Sequence, residues 1–270
     1  MKYTYYIFIS FFLISAAGFG QNPDKKSVSI GKYTAGCVKN PGVLPFDGYG
    51  YQVIRASRNR NYAHDDLIQF INSFTTKVKS NYNAKLLIAD LTKRNGGPMF
   101  DDHSSHQTGL DADILYIYKG NRNNKRYSIG EREKMSPRSV LNGSKTAVDP
   151  TKWDWINGDI LKLAASDSNV DRIFVNPSIK KELCSRFNDE IWLRKVRPWW
   201  GHDGHFHVRM NCPESSIKCE PSPVLPVGTG CGSDLKWWFS KEALMERIKK
   251  ITRPKTKQKP VLPEECKGII

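Results

Sequence analysis

The chain has 270 residues, with 42 Lys and Arg against 27 Asp and Glu, and a formal net charge of +15. In a cytosolic protein that balance would point to nucleic acid, so the compartment has to be settled before the charge is interpreted. Beyond the N-terminal segment no stretch is long and apolar enough to cross a bilayer, which predicts a soluble mature chain with no stable membrane insertion.

The opening MKYTYYIFISFFLISAAGFGQ combines Lys2 as a one-charge start, an apolar run from Tyr5 to Ile14, and the small residues Ser15, Ala16, Ala17, Gly18 and Gly20. This is the pattern of a secretory signal peptide over residues 1–20, and it predicts export to the periplasm with cleavage near Gly20. No cysteine follows the apolar run, so no lipid-anchored form is expected. Removal of residues 1–20 takes away only Lys2 and leaves 41 minus 27, or +14. On an exported protein that charge suits the cell wall, lipid headgroups or polysaccharide, and nucleic acid is not the expected partner. The remaining length fits one domain over 21–251 with a Pro- and Lys-rich tail over 252–270.

The predicted elements follow in chain order. Residues 28–55 are extended segments broken by Gly and Pro, ending in a strand near Tyr51 to Arg55. HDDLIQFINSFTTKVK places Leu67, Ile68, Phe70, Ile71, Phe74 and Val78 at helical spacing behind an acidic first turn, and predicts an amphipathic helix over 64–79. His64 stands where a helix cap is needed. KLLIADLT is a buried strand leading into the loop RNGGPMFDDHSSHQTG, and LDADILYIY alternates as a second strand. Residues 119–150 are polar and weakly patterned, as expected of a surface excursion. A helix over 154–166, the strand RIFVN, a helix from Pro177 to Cys184 and a last core strand FHVRM complete the domain. The tail is expected to run extended over the surface, its tip tied down by Cys266.

All six cysteines, Cys37, Cys184, Cys212, Cys219, Cys231 and Cys266, lie beyond the signal segment. In an exported chain an even set predicts three disulfides, although spacing alone leaves the pairing open. There are no C-x-x-C knuckles, so a zinc ribbon is excluded.

Two clusters carry chemistry. In GHDGHFHVRM, three of the chain's six histidines fall within six residues. On a strand His205 and His207 share one face while Phe206 and Val208 face the core, which makes H-x-H a ready chelate. In DDHSSHQTGLDADI, His103 and His106 precede Gly109, and Asp111 and Asp113 then project from one face of a strand. Gly109 lets the loop turn so that His106 meets Asp113. Together the clusters supply imidazole and carboxylate. A His, Asp, His set suits Zn²⁺ and leaves a fourth position for water, the arrangement of a catalytic rather than a structural site.

HSSHQTGLDADI and VRPWWGHDGHFHVRM resemble the signatures of the penicillin-insensitive murein endopeptidases, within the wider lysostaphin, D-Ala-D-Ala peptidase and hedgehog superfamily of zinc proteins. The resemblance extends to GYQVIRASRNRNYAH, RIFVNPSIKKELC and all six cysteines. It implies an α+β fold in which a small antiparallel sheet carries the site, flanked by helices and long loops and stapled by disulfides. It also implies Zn²⁺ held by His106, Asp113 and His207, with His103 as a further ligand or a group beside them. His205 becomes the catalytic imidazole with His202 next to it, and the bridges become Cys37 with Cys266, Cys184 with Cys231 and Cys212 with Cys219. The chain departs from the family pattern at Asp101 and Asp102, where a small residue or Gly would be expected before the first histidine. The implied activity is hydrolysis of the peptide cross-links of peptidoglycan at the D-alanyl bond to diaminopimelate, insensitive to penicillin. Arg197, Trp199 and Trp200 are candidates for the groove that holds the substrate, as are Arg55, Arg58 and Arg60 for its carboxylates.

Other readings lead to different experiments. Ser178 to Lys181 spell S-x-x-K, the nucleophile motif of serine D,D-peptidases, but the companion motifs are out of order or incomplete. A non-catalytic, zinc-containing wall-binding module is the alternative from another class, and a zinc nuclease rests on charge alone.

Overall fold

A computed structural model describes residues 26–99, 103–188, 190–252 and 260–270. The predicted signal peptide, Asp101 and Asp102 lie outside the described residues, as does part of the predicted tail. In chain order the elements are β1 (Val28–Lys32), β2 (Ala35–Lys39), β3 (Gly42–Val43), β4 (Tyr51–Val53), β5 (Tyr62–Ala63), α1 (Asp65–Tyr82), β6 (Leu86–Ile88) and β7 (Asp111–Leu115). They continue with α2 (Ile129–Glu133), α3 (Ile156–Ala165), β8 (Val170–Val175), α4 (Pro177–Phe187), β9 (Val196–Pro198), β10 (His205–Met210), α5 (Ser233–Trp237) and α6 (Lys241–Thr252).

The apolar stripe of α1 buries Leu67, Phe70, Ile71, Phe74 and Val78, and Asp65 and Asp66 sit in its first turn where the helix dipole favours negative charge. His64 is the N-cap, and its Nδ1 accepts from the Asp66 backbone N–H at 3.2 Å. The stripe packs with that of α3, where Ile156, Ile160, Leu161 and Ala164 are buried, against one face of a six-stranded sheet. Pro177 opens α4, whose first turn is capped by the Asn176 side chain accepting from the Ser178 N–H.

The fold is α+β, but the sheet is not wholly antiparallel. Its order is β4-β6-β7-β10-β8-β9, and only the inner pairs β6–β7, β7–β10 and β10–β8 run antiparallel. The outer pairs β4–β6 and β8–β9 are parallel. The physical reason is connectivity: α1 lies between β4 and β6, and α4 between β8 and β9, so each outer pair is joined by a helical crossover that returns the chain in the same direction.

Two regions carry more structure than their sequence patterns announced. The excursion 119–150 contains α2, started by a capping box between Ser128 and Glu131. Its Arg132 is buried and donates to the carbonyls of Phe46 and Val53, which ties the excursion to the sheet edge. Residues 241–252 form α6, an unforeseen helix whose apolar residues Leu244, Met245 and Ile248 remain exposed.

Disulfides join Cys37 to Cys266, Cys184 to Cys231 and Cys212 to Cys219. The first fastens the C-terminal segment to β2, and Ile270 reaches back to Gly97 beside the loop that precedes β7.

Candidate metal centre

Strands β7 and β10 pair so that Asp113 stands opposite His207, Leu115 opposite His205 and Asp111 opposite Arg209. Directly opposed side chains point the same way, so one face of the pair collects Asp111, Asp113, His205, His207 and Arg209. Phe206 and Val208 point to the opposite face, into the core.

His103 and His106 arrive from the loop between β6 and β7. His106 has φ 65° and Gly109 φ 75°, so the chain turns sharply twice before entering β7. At Gly109 a Cβ would stand 2.9 Å from the backbone nitrogen of His64, whose N–H donates to the Gly109 carbonyl. Any side chain there would push the loop off the start of α1.

Asp111, fully buried, organises the centre. One carboxylate oxygen accepts from the His106 backbone N–H at 3.0 Å, and the other from His207 Nε2 at 2.7 Å and Arg209 Nε at 2.8 Å. Burial opposes its charge, but Arg209 and His207 hold the carboxyl well below the usual carboxylate range. It is therefore an acceptor only, which makes His207 Nε2 the donor and leaves the His207 Nδ1 lone pair free. His106 Nδ1 lies 2.7 Å from the Leu91 carbonyl, so it carries the proton and His106 Nε2 offers a lone pair.

Those two lone pairs converge on Asp113. His106 Nε2 is 3.4 Å and His207 Nδ1 3.3 Å from its Oδ1. His205 Nε2 lies 3.6 Å from the same oxygen, and His103 Nδ1 3.6 Å from Oδ2. His106 Nε2 and Asp113 Oδ1 are both buried, and among the described residues neither has a hydrogen-bond partner. Buried acceptors facing one another with no donor between them repel, and leaving them so is costly. A cation resolves the conflict, and imidazole nitrogen with carboxylate oxygen is a donor set that suits Zn²⁺. The residues present thus fit a metal ion. His103, His106 and Asp113 bring one donor atom each within 4.8 Å of the others. The field points the same way: burial disfavours a charged His106, yet the Asp113 and Asp111 carboxylates keep its pKa above the ordinary value. Burial pushes His207 down to about 4, so that ring is neutral.

His103 is held from outside by Asp90, a residue that sequence reasoning missed. Its Nε2 is 2.7 Å from Asp90 Oδ2, which also meets Arg58 Nη1 at 3.0 Å and Arg60 Nη1 at 2.9 Å. Arg55 stands 4.0 Å from the other oxygen. Burial would raise the Asp90 carboxyl, but the His103 hydrogen bond and Arg58 bring it down to about 2. The arginines of RASRNR thus engage an acid of the chain itself. The available signal was an aspartate two residues beyond an apolar strand, in LLIAD.

His205 is partly open, its side chain 23% exposed. The His202 ring lies 5.1 Å from it on a backbone with φ 49°, and burial with the neighbouring His205 and His207 pushes His202 down to about 3. Phe174 packs edge-on to His207 and next to Trp199, which is 51% exposed. Trp200 packs edge-on to Trp238 and lies under Arg247. Arg197 extends toward the turn at Gly230. Ser178 is only 2% exposed, its hydroxyl donates to the Lys145 carbonyl, and Lys181 faces the Phe239 ring. The S-x-x-K residues are therefore parts of a helix start rather than a nucleophile and its base.

Comparison with known families places these residues in context. The family described as penicillin-insensitive murein endopeptidase matches residues 29–270. A protein of that name from Pectobacterium atrosepticum is 38% identical over 244 residues, covering 90% of this chain and 83% of that protein. Proteins of the same name from Salmonella paratyphi B and Salmonella typhimurium are each 35% identical over 279 aligned positions, covering 100% of this chain and 98% of theirs.

Proposed function

We propose a function from one premise: the chain belongs to the penicillin-insensitive murein endopeptidase family. It is a peptide hydrolase of the murein wall. In finer detail it cuts the D-alanyl bond to diaminopimelate within peptide cross-links, in the periplasm after removal of the signal peptide. It uses Zn²⁺ held by His106, Asp113 and His207, with His103 beside them. The observation that carries the reading is the meeting of the His106, His207 and Asp113 lone pairs in a buried space where, among the described residues, no donor stands between His106 Nε2 and Asp113.

Zn²⁺ bound there supplies Lewis-acid polarisation of the scissile carbonyl and acidification of the attacking water. The protein's own groups do the rest. Leu91, Asp111 and Asp90 each accept from the far nitrogen of a histidine and so fix its tautomer and ring orientation. His205 takes a proton from the attacking water at Nε2 and returns it to the leaving amine; its partial exposure and its distance of 3.6 Å from Asp113 support that role. His202, neutral beside it, limits the charge that accumulates around His205. Trp199 and Trp200 form an aromatic wall, with Arg197 at its base.

The test is digestion of purified peptidoglycan with muropeptides identified by mass. Cleavage continues in saturating penicillin, because Ser178 is buried and no serine nucleophile is involved. It stops with a chelator and returns when zinc is restored. Inhibition by penicillin with an adduct on Ser178, and indifference to chelation, would replace the metal mechanism with the serine one. A zinc-loaded protein that holds wall material but cuts nothing would be the non-catalytic module.

A further inference from the structure

A cavity of about 310 Å³ lies beside Leu115 and Gly204, next to the rung of the β7–β10 ladder that carries His205. Its floor includes Leu87 and Leu115. Leu115 is two residues beyond Asp113 on β7 and pairs with His205 on β10, so it shares the face that carries Asp113 and His205. The outer wall comes from the excursion 119–150, with Tyr127, Lys134 and Arg138 among its lining. Gly204, the residue before His205, closes one side: a Cβ there would stand 2.8 Å from the Arg138 carbonyl oxygen, so the wall rests directly on the chain entering β10. The size suits one small side chain or short peptide segment.

Two features of the lining define the occupant. Among the described residues it has two cations, Lys134 and Arg138, and no carboxylate. Among the described residues neither cation pairs with an acid, and the Arg138 guanidinium lies over the Tyr118 ring at 4.7 Å. An apolar floor under unpaired guanidinium and ammonium groups recognises a carboxylate on a short aliphatic stem.

We propose that this cavity is the subsite for a carboxylate borne by the residue that supplies the leaving amine. The inference rests on the proposed role of His205. The metal centre occupies the Asp113–His207 rung of the ladder, His205 and Leu115 form the next rung, and the cavity lies beyond it. A peptide whose carbonyl sits at the metal and whose leaving nitrogen faces His205 extends its amine-side residue over Leu115, toward Lys134 and Arg138.

The experiment uses the full protein and the amine-side product peptide, which cannot be cleaved, in two forms: free carboxylate and carboxamide. Wild type binds the carboxylate form more tightly. In Arg138→Ala its dissociation constant rises about ten- to a hundredfold, as for loss of a hydrogen bond to a charged group. The preference over the carboxamide falls with it, zinc content stays unchanged, and Arg138→Lys recovers part of the preference. Lys134→Ala, at an exposed position where folding is not at stake, shifts the preference the same way. A purely structural role for Arg138 would weaken both forms equally. Wild-type discrimination in both alanine variants, or no discrimination by wild type, overturns the proposal. If wild type binds these peptides but leaves cross-links intact, the endopeptidase reading fails while the subsite is still decided by binding.

Discussion

Strands β7 and β10 have two faces that are opposite in character, both dry at their centre, with the polar one opening at His205. On one, Ala112, Ile114, Phe206 and Val208 are at most 1% exposed and pack into the core with α1 and α3. On the other, Asp111, Asp113 and His207 are 0%, 3% and 5% exposed. Burial therefore does not distinguish core from site here; completeness does. The apolar face is finished by the chain itself, whereas the polar face ends in acceptors that no group among the described residues satisfies. That asymmetry leaves room for a ligand on one side only.

The comparison breaks most severely at Asp113. Asp113→Ala should abolish metal binding and cleavage together, and His106→Ala and His207→Ala should do the same, because each would remove a ligand from the proposed three-ligand site. Metal analysis of dialysed protein is the check, and full zinc retention in two of the three variants would break the ligand set. Across the sheet, Phe206→Ala should cost about 3–5 kcal/mol in denaturant unfolding, the usual range for emptying a buried aromatic site. Its folded fraction should keep one zinc per chain, and zinc loss there would mean that the two faces are not separable.

A smaller effect is expected at the open edge of the site. His205→Ala should keep its zinc and lose about a hundredfold in rate, the scale of a missing acid/base group. Loss of zinc would make His205 a ligand instead. The smallest effect belongs to His103, which Asp90 holds from the far side. His103→Ala should weaken zinc by about tenfold, as for a group that supports rather than forms the ligand set. A loss as complete as that of His207→Ala would show that the compact His103, His106, Asp113 group is the true triad.

Much of the site was legible because its spacing is local. Residues two apart on a strand share a face, so H-x-H and D-x-D declared their alignment, and Gly109 marked the turn that returns His106 to β7. Helix α1 was equally plain, since a stripe at helical spacing behind an acidic turn needs no distant information. Helix α6 has no counterpart among the predicted elements, although ALMERIKKI repeats its apolar residues at helical intervals.

What the sequence by itself determined is which side of each strand faces the core and which residues can offer lone pairs, since both depend on periods of two and 3.6 and on side-chain chemistry. What only the tertiary structure decided are the features that join distant segments. Asp90 meets His103 and the arginines of 55–60 because β4 and β6 lie side by side as a parallel pair. The tautomers of His106 and His207 depend on Leu91 and Asp111, one across a loop and the other on the neighbouring strand. The cavity exists because Arg132 ties the excursion 119–150 to the sheet edge and Gly204 lets it close against β10. Each of these is a contact between chain segments whose approach is set by packing and crossover topology, and neither leaves a repeat in the local sequence.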